Sequence, residues 1–205
     1  MDMVQQALLS LPVLLLSLTI HEFSHGYVAY RFGDSTAKDA GRLTLNPLKH
    51  LDVFGVLVFF LSQFRFGWAK PVPVNPYNLR NPRVADFWVS AAGPLSNIAQ
   101  AFVFGLLFRF VSSGALNVPH AVLYFCFYGV TINLTLAFFN LIPLYPLDGS
   151  HMLKNILPPE MAMKMAQVDR IAPFLLILLV IMGGIWFVIG PFVQPIVHLF
   201  TGVHI

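Results

Sequence analysis

Apolar runs long enough to cross a bilayer recur along this chain, and they leave few folds open to it. Residues 7–20 are apolar, and a helical pattern continues beyond them to Arg31. A helix over about 3–32 is ample for a hydrocarbon core about 30 Å thick. Residues 87–111, 118–141 and 171–189 predict three further spans. Composition agrees. Of 205 residues, 57% are hydrophobic and 10% charged, whereas a soluble domain carries about 25% charged residues. Disorder, a secreted disulfide scaffold and an ordinary soluble enzyme are excluded. Cys126 is alone, so no intrachain disulfide and no cysteine-rich metal site can form.

Residues 51–64 are apolar too, but at about 1.5 Å per residue they reach only about 21 Å. The cations give the same answer. Every Lys and Arg except Arg109 falls after the first span, beside residues 51–64, or after the third long span. Placing these cations on the cytoplasmic side puts the N-terminus outside. Residues 51–64 then have both flanks on one side, which predicts a re-entrant or interfacial segment. A net charge of +3 is thereby read as loop charge facing the cytoplasm, not as a nucleic-acid footprint. The Pro- and Asn-rich stretch 65–83 alternates over 68–74, predicting a strand or short β-hairpin. Pro191 and Pro195 predict a break, leaving 192–200 at the interface. The expected fold is an all-α polytopic membrane protein of about four transmembrane helices in one domain, 1–205.

The chemistry sits at the end of the first span. His21-Glu22-Phe23-Ser24-His25 is H-E-x-x-H. Residues i and i+4 share a helix face, so both imidazoles can bind one zinc ion, while Glu22 is turned by about 100° toward water. The chain has only two glutamates, and an idle carboxylate in a span is costly. A catalytic zinc needs a third protein ligand and an open position. Glu160 follows Pro158-Pro159 and reads as a solvated charge. Asp148 is the better candidate. It follows Pro143 and Pro146, which must break the helix, and it begins a new helical piece that it would also cap. His151 reads as a polar surface residue or a neighbour of the metal site, and His50, His120, His198 and His204 as interface residues. Asn133 and Asn97 read as helix–helix hydrogen-bonding groups.

HEFSH in a span, AGPLSN opening a later span and NLIPLYPLDG after a third resemble the site-2 proteases, which are intramembrane zinc metalloproteases. The resemblance covers about 17–157. It implies one Zn²⁺ per chain held by His21, His25 and Asp148, with Glu22 as the catalytic carboxylate. It implies that Asn140 holds the substrate backbone or the developing oxyanion. Gly93, Pro94 and Asn97 would lie near the active site, within reach of substrate. The stretch 67–74, with Lys70 and Val72, would pair with an extended substrate. The catalytic core is then about 3–157, and the C-terminal span and tail about 171–205. The chain is similar to a minimal bacterial member without a PDZ or CBS domain, set in the plasma membrane. Its substrate would be a single-span or signal-peptide-like membrane protein, and no residue fixes an oligomeric state. His25 precedes Arg31 by six residues, and Asp148 precedes Lys154 by six, so both approach the cytoplasmic face. A metal-ion carrier using the same His and Asp groups is the competing reading, but it would have no use for Glu22.

Overall fold

The computed structural model describes residues 3–61, 67–114 and 117–203. Arg65 and His204 lie outside them. The first helix, α1 (Met3–Arg31), carries the H-E-x-x-H sequence in its second half. Its hydroxyls are satisfied internally, as an apolar surround requires: Ser17, Thr19 and Ser24 donate to the carbonyls of Val13, Leu15 and Ile20. A short turn α2 (Thr36–Asp39) and α3 (Val53–Leu61) follow. The described part of α3, nine residues, rises about 13 Å. Then come α4 (Pro82–Ser112), α5 (His120–Asn140), α6 (Asp148–Ile156), α7 (Pro159–Val168), α8 (Ala172–Ile181) and α9 (Gly184–Thr201).

Among the described residues α1, α4, α5 and α9 are long and apolar enough to cross a membrane. Helix α4 is the centre of the bundle and packs on α5, α1, α6 and α9. One apolar core, built from Phe104, Val130, Leu134, Ile189, Val193 and Val197, joins α4, α5 and α9. Leu95, Phe102, Leu106 and Phe187 point outward and are each more than half exposed, as lipid-facing residues would be. Arg109 donates to the carbonyls of Leu199 and Phe200 and ties the C-terminal ends of α4 and α9 together.

Three expectations are corrected. The fourth apolar helix of spanning length is 184–201, not 171–189. Gly183, at φ +69°, ends the shorter α8 in a conformation that side-chain-bearing residues rarely adopt. Pro191 and Pro195 do not break α9. Prolines are tolerated in membrane helices when packing compensates for the lost bonds, and α9 is packed against α5 and α4. The predicted hairpin is also absent: among the described residues the only pairing of this kind is one antiparallel bridge, Leu51 to Ala69. Pro71, Pro73 and Pro76 carry no N–H with which to continue a ladder.

What forms instead is an extended strap over residues 69–75, pinned at both ends. At one end Lys70 N–H donates to His50 O, and Arg42 Nη2 donates to Lys70 O. At the other, the fully buried Asp34 accepts from Asn75 N–H, Asn78 Nδ2, and both the N–H and hydroxyl of Thr36. Burial alone would raise the Asp34 pKa, but these donors outweigh it and hold the carboxyl below its ordinary range. A carboxylate shifted down stabilises above its unfolded pKa of about 3.9, and the contribution fades as pH falls through the lower folded value. Corrected amide exchange across 70–78 should therefore be flat between about pH 8 and 5 and rise only in acid below about pH 4. Asp34→Ala should bring that faster exchange to neutral pH, while α4 and α5 keep their protection.

Candidate metal centre

Helices α1 and α4 build most of the centre. His21 and His25 lie one turn apart on the α1 face turned toward α4, and both are buried. Each imidazole spends its Nδ1–H on a fixed acceptor. His21 donates to Asn97 Oδ1 at 2.6 Å, and His25 donates to Val89 O at 2.7 Å. Both acceptors belong to α4. Their partners fix the tautomers, so both Nε2 lone pairs face inward, 3.0 Å apart. Asn97 is itself held, since its Nδ2 donates to Asn133 Oδ1 at 2.8 Å on α5, and Asn133 donates to Gly129 O.

Asp148 closes the group from the first residue of α6. Its Oδ2 lies 3.3 Å from His21 Nε2, and its Oδ1 lies 3.4 Å from His25 Nε2. The chain leaves α5, passes Pro143 and Pro146, and doubles back into α6. Gly149 permits this return, because a Cβ there would sit 2.3 Å from Leu141 O. Helix α6 is held to α4 by Arg83, which donates to the carbonyls of Asn155 and Leu157, and by Asn155, which donates to Asp86. His151 faces Asp86 at 3.6 Å and not the histidine pair. Glu160 is exposed on α7.

The donor set fits a zinc ion. Asp148 Oδ2 is buried without a hydrogen-bond partner, and it faces two nitrogen lone pairs. With both Nδ1–H groups engaged, the Nε2 atoms and the carboxylate converge as acceptors that a cation would satisfy. A tetrahedron with bonds of about 2.0–2.1 Å has edges of about 3.3–3.4 Å. The separations of 3.3 and 3.4 Å, each from one Asp148 oxygen to one imidazole, are of that size, and the Nε2–Nε2 separation of 3.0 Å is shorter. All three ligand atoms lie within 4.8 Å of one another. Glu22 is next in sequence to His21, and its Oε2 accepts from Val72 N–H at 2.9 Å.

Of the other residues singled out in the sequence, Gly93 lies against the pair itself. A Cβ there would come within 2.4 Å of His25 Nε2 and 2.6 Å of His21 Nε2. Pro94 is fully buried beside it. Asn140 ends α5, with its Nδ2 donating to Leu136 O. The Lys70 side chain is exposed on the strap, and Val72 is buried. Sequence reasoning missed that Asn97 orients His21, that Val89 O orients His25, and that Val72 meets Glu22. Two buried asparagines in spans were the available signal for the first. Backbone groups leave no signal for the other two.

Removing these supports should show in metal content. Asn97→Leu frees the His21 Nδ1–H and should weaken zinc binding about 10- to 100-fold. Gly93→Ala drives a methyl into both imidazoles and should lower zinc per chain after dialysis. Metal analysis beside circular dichroism checks both, and helix content should hold.

The description peptidase family M50 belongs to a family model that matches residues 113–183, a stretch including Asn140 and Asp148. YwhC of Bacillus subtilis, named as a zinc metalloprotease, is 43% identical over 160 residues, covering 76% of this chain and 72% of its own. Rip2 of Mycolicibacterium smegmatis, likewise named, is 31% identical over 183 residues, covering 84% and 67%. A relative so named in Methanocaldococcus jannaschii is 41% identical over 102 residues, covering 49% and 51%. No solved structure matches the chain. With its apolar helices and its His, His, Asp group, the chain belongs to peptidase family M50 and is a multi-pass membrane zinc metalloprotease.

Proposed function

We propose that this protein is an intramembrane endopeptidase that hydrolyses peptide bonds within or beside the transmembrane segments of other membrane proteins. One observation carries the reading. His21 Nε2 and His25 Nε2, on a helix apolar enough to cross that also carries Glu22, converge with an unpartnered Asp148 oxygen. In this reading His21, His25 and Asp148 hold one zinc ion. When bound, zinc polarises the scissile carbonyl and makes water a competent nucleophile near neutral pH. Glu22 takes a proton from water as the oxygen adds to the carbonyl carbon. It returns that proton to the nitrogen as the C–N bond breaks. Asn140 supports the substrate backbone or the developing oxyanion. Gly93 and Pro94 keep the α4 side of the site free of side-chain bulk.

A helix in lipid keeps its peptide groups closed, so the scissile segment must unwind. A cavity of about 750 Å³ lies between α1, α5 and the corner of α8 and α9, and its wall includes Thr19, two residues before His21. Leu14, Leu18, Thr19, Trp68, Thr131 and Thr135 are among its walls. It is the place for the substrate's apolar segment, from a single-span or signal-peptide-like membrane protein. The unwound part then lies beside the strap, near the exposed Lys70. The cation distribution sets the N-terminus outside and the metal centre nearer the cytoplasmic face of the plasma membrane. Arg109 fits this, because it sits at the opposite end of the bundle from α6.

The test is reconstitution in liposomes with a single-span substrate. Glu22→Gln should bind zinc but lose kcat by about 10³-fold or more. Chelation should abolish cleavage, and added zinc should restore it. Undiminished cleavage by Glu22→Gln would sink the assignment of the base. Zinc flux without cleavage would mark a carrier.

A further inference from the structure

We propose that the backbone N–H of Val72 is a positioning group for Glu22, presented by a strap that the fold keeps fixed against α1. The inference rests on Glu22 being the base, and it adds what aims that base. A glutamate has three rotatable bonds, so an unanchored carboxylate samples orientations in which it cannot serve the metal centre. Val72 N–H holds Oε2 at 2.9 Å. That leaves Oε1 to meet water. A peptide N–H anchors the carboxylate without setting a full positive charge beside it, as Lys or Arg would.

The strap is built around this one donor. Pro71 and Pro73 flank Val72, and neither has an N–H. Val72 therefore carries the only backbone donor in 71–73. Its neighbours are fixed from both sides, Lys70 by His50 and Arg42, and Asn75 by Asp34. The Val72 side chain is 8% exposed. It packs on Gly26, which lies one turn beyond Glu22 on the same α1 face. A Cβ on Gly26 would already be 3.1 Å from Val72 Cγ1. A paired strand needs about 4.8 Å between backbones. No such gap separates the Val72 amide from the carboxylate it holds. This amide therefore serves Glu22 and not a substrate ladder, and an extended substrate takes other groups of the strap.

The decisive variant replaces Val72 with its α-hydroxy acid, turning one amide into an ester while keeping the side chain. Cleavage kinetics and zinc content are measured in reconstituted protein. The expected result is a kcat lower by about 10- to 100-fold, the worth of a hydrogen bond to a charged group, with KM and zinc per chain unchanged. Val72→Ala keeps the amide and should retain at least about tenfold more kcat than the ester. An increase in KM with kcat preserved would assign the amide to substrate and overturn the proposal. Equal loss in Val72→Ala and the ester would reduce the role to packing, and no loss in the ester would remove it. A second readout needs no turnover. In zinc-free protein labelled with ¹⁵N-valine, the Val72 amide resonance should move in Glu22→Ala. An unmoved resonance overturns the contact. Should Glu22→Gln cleave normally while the Val72 resonance still reports Glu22, the base assignment fails and the contact survives, so the two failures stay distinguishable.

Discussion

Everything at the centre depends on the bond from His21 Nδ1–H to Asn97 Oδ1. Imidazoles in an apolar bundle have no water to satisfy their second nitrogen, so each needs a protein partner or bears a desolvation cost. The partner also decides which nitrogen is left for metal. Asn97 meets both demands, and it is not free to rotate, because its Nδ2 is bound to Asn133 on α5 and Asn133 is bound to its own helix. One chain of amides thus locks α1, α4 and α5 at the depth where His21, His25 and Asp148 meet. Position and chemistry are set by the same contacts.

The remaining parts approach this locked core from one end. Asp148 reaches it on a helix that begins anew after two prolines, and α6 is moored to the start of α4 by Arg83, Asp86 and Asn155. The strap reaches it from the loops after α1, moored by Asp34 and Arg42. Small residues make each approach possible. Gly93 admits the imidazole pair, Gly149 admits the turn before α6, and Gly26 admits Val72. A methyl group would meet the imidazoles at Gly93, the Leu141 carbonyl at Gly149 and the Val72 side chain at Gly26.

How far this could be read in advance follows from the kind of signal each part leaves. Three spans were legible because long uncharged runs have few alternatives in water or lipid. The last was displaced because Pro191 and Pro195 were weighed as breakers, when packing against α5 and α4 sustains the helix. The histidine pair and Asp148 were legible because charge in a span is rare and helix spacing is fixed. The hairpin was expected from alternation alone. Prolines at 71, 73 and 76 in fact favour an extended strap in which the N–H groups of Lys70, Val72 and Asn75 each have an acceptor. Val89 O and Val72 N–H could not be read at all, since a backbone group has the same signature in every residue.

That last point bears on how Glu22, in the role proposed for it, can be supported within a small membrane enzyme. A side-chain donor to Glu22 would have to be long, buried and uncharged, or else charged and weakening the carboxylate as a proton acceptor. Within an apolar bundle either choice adds a polar group that must be satisfied in turn. A peptide N–H adds none, because the chain already carries it. It needs only a segment without a ladder of its own, held at a fixed distance. Proline on both sides supplies the first condition, and the Asp34 and Arg42 moorings supply the second. The same prolines that cost this region its sheet leave Val72 with one donor and one acceptor to give it to.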